Sequence, residues 1–108
     1  MTTLQLDQLD GLTKLTRPAE AREITCIYCC DLLSLAMAQA PANSAWVTVM
    51  GNRNTIAVAS LADVACVILA ADTAFSDDCI AKAEDEGVTV YRTAAPIFET
   101  AKRIDLLL

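Results

Sequence analysis

The sequence predicts an α/β fold in a single compact domain, and three observations lead to that prediction. Short apolar runs typical of strands alternate with segments of helical spacing, as in βαβ units of a parallel sheet. The 108 residues leave room for one hydrophobic core. Hydrophobic residues make up 55% of the chain and charged residues 20%, which is typical of a well-buried fold. We therefore expect a mostly parallel sheet of about four or five strands with helices on its faces.

Residues 1–22 predict a short helix followed by a brief strand. Thr2 or Thr3 is a suitable N-cap, and Gly11 is a suitable stop. The segment "LTKLT" alternates as a short strand does. The apolar stripe of the helix would be formed by Leu4, Leu6 and Leu9.

Residues 23–108 contain the regular alternation of strands and helices. A strand at about Glu23–Cys30 precedes the segment "DLLSLAMAQA", for which Asp31 is the predicted N-cap and Pro41 the end. We expect the buried face of this helix to be formed by Leu32, Leu35 and Ala36.

The middle of the chain predicts two strands around an alanine-rich helix. "AWVTVM" reads as a strand, and "NTIAVASLADVA" has helical spacing. "CVILA" is wholly apolar, which indicates a strand covered on both faces. The helix would bury a face formed by Ile56, Ala59, Ala62 and Val64.

The last third predicts a helix, a strand and a final helix. Ser76 or Asp77 caps "DDCIAKAEDE", whose first turn is acidic as the helix dipole prefers, and Gly87 closes it. "VTVYRT" follows as a strand. Pro96 lies in the first turn of the last helix, where proline is tolerated.

The charge balance disfavours some partners. Eight Lys and Arg stand against fourteen Asp and Glu, giving a net charge of -6. The scattered basic residues would not attract a phosphate backbone, so we expect no nucleic acid partner. The sequence shows neither a signal peptide nor an apolar stretch long enough to span a membrane. We therefore expect a cytoplasmic protein with no membrane partner.

Five cysteines in a chain without an export signal argue against a disulfide scaffold. Cys26 and Cys29 have C-x-x-C spacing, but a strand directs positions i and i+3 to opposite faces. The chain has no histidine to complete a zinc site. We favour small buried hydrophobic residues and expect no cofactor. A metal or redox site at Cys26, Cys29 and Cys30 would require the strand to end by Cys29.

The sequence contains no recognisable catalytic constellation, so we expect that the protein is not an enzyme. Without histidine it lacks the commonest general base and the usual partner of a catalytic Ser or Cys. None of its three glycines opens a P-loop. Asp31, Asp77 and Asp78 lie at predicted helix starts, where capping explains them better than acid–base chemistry.

The junction "VTVMGNRNTIAVAS" is the candidate binding site. A helix N-terminus offers free N–H groups and the positive end of the helix dipole, Gly51 permits close approach, and Arg53 supplies a guanidinium fork. These features suit a phosphate or a carboxylate. In the alternative interpretation, Asn52 or Asn54 only caps the helix, Gly51 forms the turn and Arg53 is a solvated surface residue. The candidate ligand-binding residues are Thr48, Gly51, Asn52, Arg53, Asn54 and Thr55.

Several segments together resemble a known family. "CDLLSLAMAQA", "AWVTVMGNRNTIAVASLADVACVILA", "AKAEDEGVTVYRT" and "APIFETAKRIDLL" resemble small stand-alone DRTGG-domain proteins, from about Glu23 to the C-terminus. Such proteins are similar to the N-terminal domain of HPr kinase/phosphorylase and, distantly, to that of Mur ligases. The resemblance implies one DRTGG-like domain over residues 1–108, non-catalytic and self-associating. The letters DRTGG themselves are not spelled out here.

Three functional hypotheses follow. The first is a regulatory or ligand-binding module that forms a homodimer and binds a small anionic metabolite or nucleotide near Gly51. The second is an interaction subunit that docks on a larger enzyme through its apolar surface. The C-terminal "IDLLL" favours the homodimer of the first hypothesis, and the alternative is that Ile104, Leu106 and Leu107 simply close the core. The third is a cysteine-dependent metal or redox accessory protein.

Overall fold

One sheet with helices on both faces organises the chain. The computed structural model describes all 108 residues, and the observed α/β fold confirms the predicted class. The elements are α1 (Thr3–Asp7), β1 (Thr13–Lys14), β2 (Cys26–Cys29), α2 (Leu33–Gln39), β3 (Ser44–Thr48), α3 (Arg53–Ala62), β4 (Cys66–Leu69), α4 (Asp77–Asp85), β5 (Val90–Arg92) and α5 (Ile97–Asp105).

The five strands lie in the order β1-β5-β4-β3-β2. Strands β2 to β5 are parallel to their neighbours, whereas β1 pairs antiparallel with β5. Each parallel step returns through a crossover helix, as parallel strands require. The sheet is therefore mostly parallel, with β1 and β2 as its two edges.

Two apolar clusters lie on opposite faces of the sheet. Beneath α2, α3 and α4, the larger cluster contains Trp46, Leu69 and Phe75. Beneath α1 and α5, the second contains Ile68 and Ile104. Every residue of β3 and β4 is buried, which confirms that "CVILA" is covered on both faces.

The predicted helix signals hold at most termini. Thr2 precedes α1, where its N–H donates to the Gln5 side chain at 2.9 Å. The hydroxyl of Ser76 accepts a hydrogen bond from the N–H of Cys79 at the start of α4. Gly87, with φ of 71°, follows the end of that helix. None of the helices is both long enough and apolar enough to cross a membrane.

The predicted details of α2 are wrong in two respects. Asp31 is not its N-cap, because the helix begins at Leu33 and Leu32 occupies the capping position. The buried face is formed by Ala36 with the half-buried Leu33, while Leu32 and Leu35 are exposed. Helix α2 therefore packs through Leu33 and Ala36 rather than through Leu32 and Leu35.

Small corrections apply to three other positions. Leu4 is exposed, so the apolar stripe of α1 is narrower than predicted. Val64 lies beyond the end of α3, since Asp63 takes a left-handed conformation with φ of 58°. Pro96 occupies the N-cap position of α5 rather than its first turn.

The N-terminal segment is joined to the sheet by Arg22. Its guanidinium donates to the backbone carbonyl of Val64 at 2.8 Å and to the side chain of Asn43 at 2.7 Å. It also forms an ion pair with Asp63 at 3.1 Å. These contacts hold residues 1–22 against the loops that precede β3 and β4.

Candidate functional site

The carboxyl ends of the parallel strands meet at one edge of the sheet, and the predicted binding residues lie there. The turn Val49–Asn52 connects β3 to α3, and residues 70–76 connect β4 to α4. In open α/β sheets, ligands commonly lie outside the carboxyl ends of the strands.

Thr48 is buried and committed to the protein's own hydrogen bonds. Its hydroxyl donates to a carboxylate oxygen of Asp31 at 2.7 Å and accepts from the N–H of Met50 at 3.2 Å. The same Asp31 oxygen accepts from the N–H of Val49 at 2.9 Å. This network explains why Asp31 does not cap α2: its carboxylate ties the end of β2 to the end of β3.

Asn52 and Thr55 define the start of α3. The Asn52 side chain accepts from the N–H of Thr55 at 3.1 Å, which confirms the predicted cap. The Thr55 hydroxyl donates to the carbonyl of Met50 at 2.7 Å. Both side chains therefore fix the turn and the helix start.

Gly51 is needed for close packing against the next loop. A Cβ at this position would lie 2.6 Å from the carbonyl oxygen of Ala74 and 2.9 Å from the Cγ2 of Thr73. The space beside Gly51 is thus occupied by the connection between β4 and α4. The sequence signal for close approach is real, and the approaching group in this structure is the protein backbone.

The junction still presents unpaired donors. The N–H groups of residues 51–54 have no acceptor within the chain, as expected before and in the first turn of a helix. Arg53 and Asn54 are exposed. The Arg53 side chain lies along a shallow polar depression shared with α4 residues, among them Asp78 and Asp85. The structure thus places all six predicted residues at one junction of strand, turn and helix. The side chains of Thr48, Asn52 and Thr55 already form hydrogen bonds within the chain.

The neighbouring loop contains a feature that the sequence analysis missed. Ala71 and Asp72 both have left-handed backbones, with φ of 54° and 55°. Their N–H groups donate to the carbonyls of Ala95 and Thr93 at 2.8 and 2.9 Å. Asp72 also lies 3.8 Å from Arg92 in an ion pair. No glycine marks this strained turn, so a pattern search could not find it.

The cysteines do not converge. Strand β2 runs through Cys29, so Cys26 and Cys29 lie on a continuous strand as predicted. All five cysteines have free thiols, but only Cys66 and Cys79 are buried, so the prediction of buried cysteines is wrong for the exposed Cys29. Although Cys29 is exposed as a residue, partial burial of its thiol, followed by the charge of Asp31, raises the pKa of that thiol. No group of three or more His, Cys, Asp or Glu side chains is arranged to hold a metal ion.

Comparison with known proteins identifies the family. Residues 19–107 match the DRTGG domain, which includes the segment that resembles this family in sequence. None of the curated proteins compared matches the chain. The match supports a non-catalytic regulatory role, as expected of a module of the regulatory or ligand-binding type. With nearly the whole of its length matched, the chain belongs to the DRTGG domain family.

Proposed function

We propose that the protein is a non-catalytic regulatory module that binds a small anionic metabolite or nucleotide at the start of α3. The observation that carries the proposal is the run of N–H groups over residues 51–54 without an acceptor in the chain. These groups open a ten-residue helix at the carboxyl edge of a parallel sheet. An anion there gains both hydrogen bonds and the favourable end of the helix dipole.

The ligand contacts divide between backbone and side chain. Thr48, Asn52 and Thr55 hold the turn in shape, so the backbone donors are preorganised. Arg53 is exposed and forms no ion pair within the chain, so its guanidinium is free to turn towards a phosphate or carboxylate. Asn54 supplies a further exposed amide.

The nearby carboxylates differ in how strongly they oppose such a ligand. Asp31 already accepts two hydrogen bonds and Asp72 is paired with Arg92. Asp78 and Asp85, however, line the depression along which Arg53 lies and oppose an anion there. The net charge of -6 nevertheless means that an anion must be held by local contacts, because the overall field repels it. This balance favours a ligand that has both an anionic group and an uncharged portion.

The proposal includes a homodimer in the cytoplasm, with no enzymatic activity of its own. Five unbridged thiols, one of them on the exposed Cys29, suit a reducing compartment. Regulation would then follow from ligand occupancy, communicated through association of the domain.

A second function is favoured by the exposed apolar side chains. Docking on a larger enzyme complex would cover surface leucines that the core does not use. Ile104 is fully buried, whereas the last three residues are exposed by 75%, 47% and 46%. The C-terminal segment "LLL" is therefore the natural contact for such an enzyme.

The ligand hypothesis is tested by a thermal-shift screen of nucleotides, phosphorylated metabolites and carboxylates. Trp46, the only tryptophan, is fully buried and reports unfolding by its fluorescence. A ligand at a hundredfold excess over its Kd stabilises the fold by about 2.7 kcal/mol. Arg53→Ala should abolish the shift, and Arg17→Ala, an exposed arginine distant in sequence, should leave it unchanged.

The outcome distinguishes the two functions. A ligand whose shift is lost only in Arg53→Ala supports the binding module. A panel without any shift contradicts it. In that case, affinity purification that recovers an enzyme with the wild-type chain, but not after Leu106 and Leu107 are changed to Ser, would support the docking function.

A further inference from the structure

One edge of the sheet is open to pairing along β2. Strand β2 pairs only with β3. The residues just before it are already covered, because the N–H of Ile24 donates to the carbonyl of Met1 and Thr2 forms an antiparallel bridge with Glu23. Residues 26–30 include neither a charged residue nor proline, the usual devices that block an edge. The opposite edge, β1, is only two residues long and carries Lys14. The two edges therefore differ in their capacity to accept another strand.

Helix α5 packs over β2 and adds a stripe of apolar and charged residues beside this edge. The stripe and the strand share a groove lined by Ile27 of β2 with Phe98, Ala101, Lys102 and Asp105 of α5. The helical positions are spaced i, i+3, i+4 and i+7, so they lie on one side of the helix. Phe98 is 73% exposed, although it is among the largest apolar side chains of the protein.

The charges on this stripe are unpaired within the chain. Neither Lys102 nor Asp105 forms an ion pair. Lys102 instead lies with its Nζ 6.0 Å from the centre of the Phe98 ring. The groove thus combines apolar side chains with one positive and one negative charge, and it is locally neutral on a chain of net charge -6.

We propose that the edge surface, defined as β2 together with Phe98, Ala101, Lys102 and Asp105, is the contact between two copies of this chain. The inference rests on the self-association in the proposed function and assigns it a surface. A second copy is the occupant that fits, because a two-fold contact requires one surface to complement itself. A surface with one cation and one anion does so, whereas most of this acidic protein would repel another copy.

The two-fold arrangement has a definite geometry. Two β2 strands pair antiparallel across the axis and continue the sheets into one. The two α5 helices then run antiparallel on the same face, with the small Ala101 near the axis. The side chain of Lys102 in each copy extends towards the C-terminal end of α5 in the other copy, where Asp105 lies. Phe98 of each copy becomes covered, which accounts for its exposure in the single chain.

Charge reversal tests this arrangement. In a two-fold contact, Lys102→Glu converts two attractive pairs into two repulsive ones, and Asp105→Lys does the same. Each single variant should raise the Kd of the dimer about tenfold or more. The double variant K102E/D105K restores both pairs and should return the Kd close to that of the wild type. Sedimentation equilibrium over a range of concentrations measures these constants.

Phe98→Ser supplies an independent test, with a matched control. Leu61 on α3 is similarly exposed, at 75%, but lies on the opposite face. Phe98→Ser should weaken the dimer by about tenfold or more, and Leu61→Ser should leave it unchanged. If the double charge variant does not recover, or if both serine variants behave alike, this surface is not the contact.

The test separates this inference from the wider proposal. A dimer that ignores all these variants overturns the edge surface and leaves self-association standing. A monomer at every concentration overturns both. Neither result bears on ligand binding, which the thermal-shift screen of Arg53→Ala measures on its own.

Discussion

Replacing Gly51 by alanine probes whether the candidate site is built around close packing. The new Cβ would lie 2.6 Å from the carbonyl oxygen of Ala74, about 0.8 Å short of the 3.4 Å at which ordinary contact begins. The obstacle is backbone, and its loop is anchored by hydrogen bonds from Ala71 and Asp72 to the end of β5. The Ala74 loop therefore cannot move away from the new Cβ without breaking hydrogen bonds.

The magnitude follows from two opposing terms. Overpacking of this kind costs about 1–3 kcal/mol. Gly51 does not have positive φ, so the backbone conformation there is allowed for alanine. Alanine also lowers the conformational entropy of the unfolded chain, which stabilises the folded state by about 0.4–1 kcal/mol. We expect a net destabilisation of about 1–2 kcal/mol. In a domain of this size that lowers Tm by about 5–10 °C.

Urea and thermal unfolding followed by Trp46 fluorescence measure the change. The double variant Gly51→Ala/Thr73→Ser removes the 2.9 Å contact with Cγ2 but retains the 2.6 Å contact with the carbonyl of Ala74. It should recover only a minor part of the lost stability. If Gly51→Ala is as stable as the wild type, the packing explanation is wrong, and the glycine is better explained by the approach of a ligand.

Two further predictions concern buried polar groups. Asp31→Ala leaves the buried Thr48 hydroxyl without its acceptor and should cost about 1–3 kcal/mol in urea unfolding, whereas Asp31→Asn, which keeps an acceptor, should cost less. Burial, reinforced by the hydrogen bond with Asp7, raises the pKa of Tyr91, and burial raises the pKa of Cys66 to about 12. Because the folded state favours the protonated forms, their stabilisation is complete below the unfolded pKa values, about 8.5 for Cys and 10 for Tyr, and declines as pH rises above them. Urea midpoints should therefore fall from pH 8.5 upwards, and a midpoint that stays level to pH 10.5 would contradict this assignment.

The sequence was sufficient for features that depend on near neighbours. Ser76 caps α4 because its hydroxyl reaches an N–H three residues away, and Asn52 caps α3 in the same way. The run "CVILA" predicts a strand covered on both faces because no polar position interrupts it. In each case the pattern and its partner lie within a few residues of one another.

The wrong predictions for the start and the buried face of α2 depend on partners distant in the chain. Asp31 is a residue type that often caps helices. Its carboxylate instead accepts hydrogen bonds from the Thr48 hydroxyl and the Val49 N–H at the end of the neighbouring strand. With Asp31 engaged there, α2 begins at Leu33. Ala36 is buried as predicted, but Leu33 packs inwards in place of Leu32 and Leu35. Only the order of the strands, which periodicity does not encode, brings these groups together.

The candidate site shows the same division between local and distant information. Its position was predictable, since Gly51 to Thr55 join a strand to a helix N-terminus. The group that packs beside Gly51 was not predictable, because it is the carbonyl of Ala74 in the connection from β4 to α4. A glycine permits close approach without specifying what approaches.

The connection from β4 to α4, which packs against Gly51, contains a strained backbone. The left-handed Ala71 and Asp72 are held by hydrogen bonds to the end of β5, and the same connection carries the carbonyl that meets Gly51. Any ligand that binds the free N–H groups of residues 51–54 must therefore fit beside a loop that is already under conformational strain. Displacing the Ala74 carbonyl would disturb the hydrogen bonds that this loop forms with Thr93 and Ala95, which lead from β5 into α5. Since α5 also supplies the stripe proposed to join two copies, this loop and the residues after β5 connect the proposed ligand site to the proposed contact surface.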